Sequence, residues 1–228
     1  PSKVQKTDNF GTILREEIYI YDNQMLGAAN IGNLTAHWQR ISPGFSVAAM
    51  KKTSYEYDDF GNVVASIDAE GGRTEILMDG YNLYPSNITN ALGHTSFASV
   101  DLATGQTIQT IDVNGVTEEW DVDSLGRPIE YRKSSQEDVL ILLAIEEWNY
   151  DDVSMPRSVE KTTHTNELET ISSIDYFDGL GRKIQSRTQM DAPGIFSVTD
   201  TRYDALSRAE HISVPHEVAG LDFTEPDL

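Results

Sequence analysis

An aspartate returns along this chain at a spacing that few architectures tolerate. Asp58, Asp79, Asp101, Asp123, Asp151, Asp178 and Asp204 are separated by 21, 22, 22, 28, 27 and 26 residues. Each opens a near-copy of the same short text. "YDDFGNVVASIDAEGGRTEIL" (57–77) lies over "VDLATGQTIQTIDVNGVTEEW" (100–120) with one residue inserted before the glycine. Gly61 then precedes Asp68, and Gly105 precedes Asp112, by the same seven residues. Further copies begin at "VDSLGRPIEYR" (122–132), "FDGLGRKIQSR" (177–187) and "YDALSRAEHIS" (203–213), with diverged ones at 78–99 and 150–161. A repeat of this period is one supersecondary unit stacked on its neighbours.

The residues say which unit. Asp at the first position of a tight turn accepts hydrogen bonds from backbone N–H groups just ahead of it. A glycine three residues on can take the left-handed conformation that closes a short hairpin loop with a bulge. Asp58–Gly61, Asp123–Gly126 and Asp178–Gly181 keep that offset, and Asp101–Gly105 adds one residue. An alternating strand follows, as in Val63–Ile67 or Thr107–Ile111. A second glycine turn comes next, Asp68 to Gly71 or Asp112 to Gly115, and then a return strand. Two strands of about 5–7 residues with two short turns fill one period. The expectation is one antiparallel β-hairpin per repeat, an all-β chain of tandem hairpins forming one extended, curved sheet. The stretch after Gln136 reads as a buried strand more readily than as a short helix. Ser207 in place of glycine, and Asp79 with no glycine at the usual offset, predict looser turns. Pro85 and Pro128 belong at strand starts, because proline cannot donate to a ladder.

Charge narrows the partners. Seventeen Lys and Arg against 37 Asp and Glu give a net charge of −20. Such a polyanion repels nucleic-acid backbones and anionic lipid surfaces. The longest apolar run, 139–145, is far short of the roughly 20 residues of a membrane helix. With no cysteine, disulfides, thiolate metal sites and cysteine nucleophiles are all excluded.

At the Tyr-Asp turns the sequence resembles the Rhs or YD-repeat family, whose repeats run Tyr-Asp, two or three residues, Gly-Arg, then an apolar strand. The pattern stands as Tyr57-Asp58 to Gly61-Asn62, Asp123 to Gly126-Arg127, Phe177-Asp178 to Gly181-Arg182 and Tyr203-Asp204 to Ser207-Arg208. Residues 89–127 are similar to repeats of the B component of bacterial insecticidal toxin complexes and of related plasmid-virulence proteins. The resemblance covers residues 55–215. Residues 1–54 match poorly, as diverged β repeats with Tyr21-Asp22 a worn copy, and 216–228 read as a C-terminal tail. The resemblance implies an arc of a hollow β-shell, in a secreted or cell-surface bacterial protein, that encloses a toxic C-terminal polypeptide. The implied partners are the rest of the shell, that polypeptide, a β-propeller and other toxin-complex components. The alternative is an adhesion or carbohydrate-binding array at a cell surface. The start at Pro1 reads as a segment cut from a longer chain.

Candidate chemistry is thin. Calcium at the repeated aspartates is conceivable through oxygen ligands, but one acid per hairpin places them apart, and turn capping explains them. His211 and His216, beside Glu210 and Glu217, lack a standard zinc spacing and read as a polar loop after the last strand. Ser-His-Asp sets have no nucleophile elbow around them, and no phosphate loop is present. Asn33-Leu-Thr35 and Asn87-Ile-Thr89 match the glycosylation pattern, which matters only in a secreted eukaryotic protein. The self-cleaving aspartyl site of the family's shells is not reproduced at Asp191-Ala-Pro193 or Glu225-Pro226-Asp227. A hydrolase within residues 1–54 is the weakest alternative. No catalytic, cofactor-binding or metal-ligating residue is assigned. The aromatics before the turns, Tyr57, Trp120, Tyr131, Tyr150, Tyr176, Phe177 and Tyr203, read as stacking positions along the ladder.

Overall fold

A computed structural model describes residues 2–40, 50–135, 142–166 and 168–225. The described residues form 18 strands and no helix. They fall into two compact units.

The first unit, residues 1–100 with 110–114, holds β1 (Lys3–Thr7), β2 (Ile13–Tyr21), β3 (Leu34–Arg40), β4 (Met50–Tyr57), β5 (Val63–Ile67), β6 (Arg73–Met78), β7 (Pro85–Thr89) and β8 (Thr95–Val100). Each pairs antiparallel with the next in chain order. The short β9 (Thr107–Ile111) divides between the units. The second unit holds β10 (Thr117–Val122), β11 (Pro128–Ser134), β12 (Leu142–Asp151), β13 (Arg157–His164), β14 (Thr170–Phe177), β15 (Lys183–Gln189), β16 (Ile195–Tyr203), β17 (Ala209–Ile212) and β18 (His216–Ala219). From β10 to β17 the pairing again follows chain order and is antiparallel throughout. The all-β class and the tandem hairpins expected from the repeat are borne out. The strand expected around 136–148 is present from Leu142 as β12, but Leu143 is exposed where a buried strand was expected; residues 136–141 lie outside the described residues. Pro85 and Pro128 each begin a strand.

Hairpin after hairpin, the register slips at the residue before the aspartate. The shift falls at Glu56/Tyr57, Leu77/Met78, Tyr176/Phe177 and Arg202/Tyr203. A bulge there leaves the aspartate outside the ladder and increases the local twist.

The last edge departs from expectation. The expected boundary puts the end of the array and the start of a tail within residues 209–219, with His211 and His216 in a polar loop. Both His211 and His216 instead lie in strands. Thr201 pairs with Ile212, and Val198 pairs with His216, so β17 and β18 lie antiparallel along the same β16. Three steps along β16 face four on its neighbour: one interrupted strand with a bulge at Ser213–Pro215. Asp200 holds that bulge through both backbone groups, its N–H donating to the Ser213 hydroxyl (3.0 Å) and its carbonyl accepting from the Ser213 N–H (3.0 Å).

Buried apolar side chains are few and unevenly placed. The first unit buries Ala36 and Ala65. The second buries Ile174, Tyr176, Phe196 and Val198 on one face of β14–β16, together with Gln185, Arg187 and Asp200. Cross-strand register makes two rows of them: Tyr176, Gln185 and Asp200; then Ile174, Arg187 and Val198.

Candidate functional site

The repeated aspartates cap their own turns. In the Asp123 turn one carboxylate oxygen accepts the N–H groups of Leu125 and Arg127, both at 2.9 Å. The Asp123 N–H donates to the Arg127 carbonyl (2.9 Å), and the Gly126 N–H donates back to the Asp123 carbonyl (3.0 Å). The same four bonds recur at Asp58, Asp178 and Asp204. On the opposite edge, Asp68 caps Glu70 and Gly72 in the same way, and Asp112 caps Asn114. Asp101 accepts from Ala103 and Thr104 in its longer loop. Gly61, Gly71, Gly105, Gly115, Gly126 and Gly181 all have positive φ, between 74° and 88°. Asp123, Asp204 and Asp101 are held below the usual carboxylate range, chiefly by the N–H groups of Arg127, Arg208 and Thr104.

Two expectations change. Ser207 does not loosen its turn: it adopts φ 61°, and its N–H donates to the Asp204 carbonyl at 3.0 Å as a glycine would. The turn geometry, set by the capping aspartate, imposes a left-handed residue even where glycine is missing. The worn copy at Tyr21-Asp22 is a full turn with a long insertion. Asp22 caps Asn30, Ile31, Gly32 and Asn33, and closes against the Asn33 carbonyl at 2.8 Å. At Asp79 the loop is one residue longer and Asn82 takes the left-handed position, φ 56°.

A second layer of contacts joins each turn to the next. The Tyr150 hydroxyl donates to the Pro128 carbonyl (2.8 Å), Tyr203 to Lys183 (2.9 Å) and Tyr57 to Leu34 (2.9 Å). In each case the acceptor is the first strand residue after the preceding turn. The arginines complete the link. Arg127 binds its own Asp123 through Nε (2.7 Å), lies 4.1 Å over the Tyr150 ring, and grips both oxygens of Asp152 at 2.9 and 2.8 Å. Arg182 repeats this with Asp178 (2.7 Å), the Tyr203 ring (4.7 Å) and the Ser207 hydroxyl (3.3 Å). Asp152 and then Asp123 raise the Arg127 guanidinium above its ordinary value. In the first unit Asn62 takes the arginine's place, donating to Asp58 (3.0 Å) and to the Asn82 carbonyl of the next turn (2.9 Å). Tyr-Asp and Gly-Arg are thus halves of one staple, Arg127 and Arg182 each meeting the next copy's tyrosine. The middle residues of these turns, Phe60, Leu125, Leu180 and Leu206, point outward and are 73–75% exposed.

A strap crosses the second unit. After Gly220 the chain folds back over the buried face of β14–β16. Arg187, fully buried, donates to the Gly220 carbonyl (2.9 Å), the Thr224 hydroxyl (2.8 Å) and the Gln185 side chain (2.9 Å). Gln185 donates to Asp200 (2.6 Å) and to the Thr224 carbonyl (3.0 Å). Tyr176 donates to the Leu221 carbonyl (2.5 Å) and packs against Phe223, ring centroids 5.3 Å apart. Its phenol is pushed up, first by burial. An open depression of about 670 Å³ lies beside the strap, lined by Met155, Pro156, Arg182, Tyr203 and Phe223 among others. The one readable signal was Gln185 and Arg187 two apart on an inward-facing strand face.

The metal candidate resolves differently. His211 pairs with Arg202 and His216 with Val198. His216 Nε2 lies 3.7 Å from Asp200 Oδ2. Among the described residues no group of three metal-binding side chains comes together. Thr35 of the first glycosylation-like triplet is buried, with its hydroxyl accepting the Asn23 N–H.

Comparison with known proteins agrees with this geometry. Residues 151–225 match DUF6443, a domain of unknown function. No curated protein matches significantly. The crystal structure of TcdB2-TccC3 superposes with a TM-score of 0.67 at 14% identity, over 90% of this chain and 15% of that one. That of TcdB2-TccC3-Cdc42 gives 0.68 at 14% identity, over 90% of this chain and 17% of that one. The chain therefore spans less than a fifth of the structures it matches. The fold is that of the TcdB2-TccC3 structures, residues 151–225 match DUF6443, and the resemblance to the Rhs or YD-repeat family read from the Tyr-Asp turns is borne out.

Proposed function

We propose that this chain is a non-enzymatic wall segment of a bacterial Rhs-type toxin shell, which helps to enclose a toxic polypeptide. The observation that carries the reading is the staple. Side chains that a binding site would display are spent on joining one hairpin to the next. The faces of Tyr150 and Tyr203 lie under Arg127 and Arg182, and their hydroxyls are bonded to backbone. That weighs against a carbohydrate platform at these rings. The outward apolar turn tips, Leu125, Leu180 and Leu206, support a chain that belongs to a larger assembly. The parent protein would be secreted or surface-exposed and would work with other toxin-complex components, a β-propeller among them.

Electron microscopy of the parent protein tests this, combined with protease digestion. The expected result is a hollow particle holding a polypeptide that resists protease until the shell is opened. A solid or open particle with no protected polypeptide refutes the proposal.

A further inference from the structure

The strap is held by the side chains of the face it crosses. Past Ala219, where β18 ends, the described chain forms no strand. The Gly220 carbonyl accepts from Arg187, the Leu221 carbonyl from Tyr176 and the Thr224 carbonyl from Gln185. Two side chains are gripped as well: Phe223 packs on the Tyr176 ring, and the Thr224 hydroxyl accepts from Arg187. Gly220 and Thr224 converge on one guanidinium, so the segment curls around Arg187. The gripping residues are 0–7% exposed, whereas Gly220, Asp222, Thr224 and Glu225 are exposed. Arg187 cannot shed its charge, yet its three bonds go to neutral oxygens, and two of those belong to the strap.

We infer that Tyr176, Gln185 and Arg187 form a peptide clamp, with residues 220–225 as its resident and exchangeable ligand. The donors stand on β14 and β15, whose ladders hold them in place whether or not the strap is seated. Opening the strap breaks the side-chain grips and the backbone bond from the Gly220 N–H to the Gly194 carbonyl (2.9 Å). It leaves the strand pairings of β14, β15 and β16 intact. A segment attached in this way opens on its own, below the free energy of global unfolding. The vacated donors then lack acceptors, which is costly for groups set so deep. What satisfies them is a peptide that offers carbonyls at positions i, i+1 and i+4, an aromatic ring at i+3 and a hydroxyl at i+4. The ligand is therefore a Phe-Thr segment of the strap's own kind. The clamp is independent of the wall reading, because every group in it lies within residues 176–225.

Hydrogen exchange on the 228-residue chain tests the opening. The Gly220 amide should exchange at least about tenfold faster than the paired amides of β15, and faster still in Phe223→Ala, while the β15 amides stay protected. A fluorescent peptide of residues 218–226, added in trans, tests the clamp. Its anisotropy should show weak binding to the parent, whose own strap competes at high effective concentration. Binding should be about tenfold tighter to a chain carrying Phe223→Ala and Thr224→Ala, in which the resident strap is weakened. Arg187→Met in that chain should abolish the gain. Tyr176→Phe, which keeps the ring and removes only the bond to Leu221, is the milder variant and should reduce it; circular dichroism checks the fold of each. Exchange of Gly220 only together with the β15 amides overturns the exchangeable strap. Absence of saturable binding to the strap-weakened chain, or binding unchanged by both Arg187→Met and Tyr176→Phe, overturns the clamp.

Discussion

Replacing Arg127 by alanine should separate an inter-turn staple from decoration. The change removes the Nε bond to Asp123, the two-oxygen grip on Asp152 and the stack on Tyr150. With Arg127 31% exposed and Asp152 53% exposed, the ion pairs lie near the surface, where each is worth about 0.2–1 kcal/mol. A cation over an aromatic face at such a site adds about 0.5–1 kcal/mol. Two ion pairs and one stack total about 1–3 kcal/mol. Arg208→Ala is the internal control. It loses only the bond to its own Asp204 at a 74% exposed position, for about 0.5 kcal/mol or less. Urea unfolding followed by tryptophan fluorescence measures both. Trp120 and Trp148 lie in β10 and β12, on either side of the Arg127 turn and its neighbour. Arg127→Lys should recover only part of the loss, because an ammonium can neither fork onto both Asp152 oxygens nor stack flat on Tyr150. At high salt the ion-pair share should shrink while the stack remains. Equal losses for Arg127→Ala and Arg208→Ala would refute the staple.

Four further outcomes follow from the same geometry. Gly126→Ala and Gly61→Ala both place a Cβ at a left-handed position, costing about 1–2 kcal/mol; at Gly126 that Cβ also meets Thr104 Cβ at 3.1 Å, while at Gly61 nothing lies within 4 Å. Thermal melts should therefore show the larger drop at Gly126, and equal drops would contradict it. Ser207→Gly should raise stability by up to about 1 kcal/mol by relieving φ 61°, less the lost hydroxyl contact to Arg182; a fall would mean that the hydroxyl matters more than the backbone. Glu16 is buried, and the hydrogen bonds of Lys3 and then Arg40 lower its pKa to about 2 from 4.5. A depressed carboxylate contributes stability above pH 4.5 that is lost as the pH falls toward 2, so the acid loss of stability in melts should be smaller in Glu16→Gln than in the parent. Arg187→Met leaves the Gly220 carbonyl and the Thr224 hydroxyl without their buried donor, a loss of about 1–3 kcal/mol; limited proteolysis should then cut within 220–225, and a cleavage pattern unchanged from the parent would count against the strap.

The turns were legible because their chemistry is local. An aspartate that caps its own loop and a glycine that closes it need nothing from the rest of the chain, so Asp123 and Gly126 announce themselves in four letters. The staple was half legible. Tyr and Arg are visible in each copy, but Arg127 meets Tyr150 of the next copy, and only the stacking of hairpins brings residues 23 apart together. Tyr21-Asp22 was obscured by its insertion, which moves the closing residue from the fourth position to Asn33. Of the strap's contacts only Gln185 and Arg187, two polar residues on one strand face, could be read. Gly220, Leu221 and Thr224 engage through three carbonyls and a hydroxyl, and backbone acceptors carry no sequence signature.

The spacing itself carries one more physical statement. Early aspartates lie 21–22 residues apart and later ones 26–28. The turns hardly differ, so the extra residues must lie in the strands and opposite loops. They do: β5 to β8 have 5 or 6 residues each, whereas β12 to β16 have 7 to 10. A longer strand presents a wider face, and a wider face can bury more than its ends. That is why the buried row of Ile174, Arg187 and Val198, and the strap that covers it, occur among the long hairpins. The short strands β5 to β8 bury a single side chain among the described residues, Ala65. The staples do not follow that division. Asn62 and Arg127 stand at the ends of turns that close strands of similar total length, 8 and 5 residues against 6 and 7, so strand length does not decide which of them links one turn to the next.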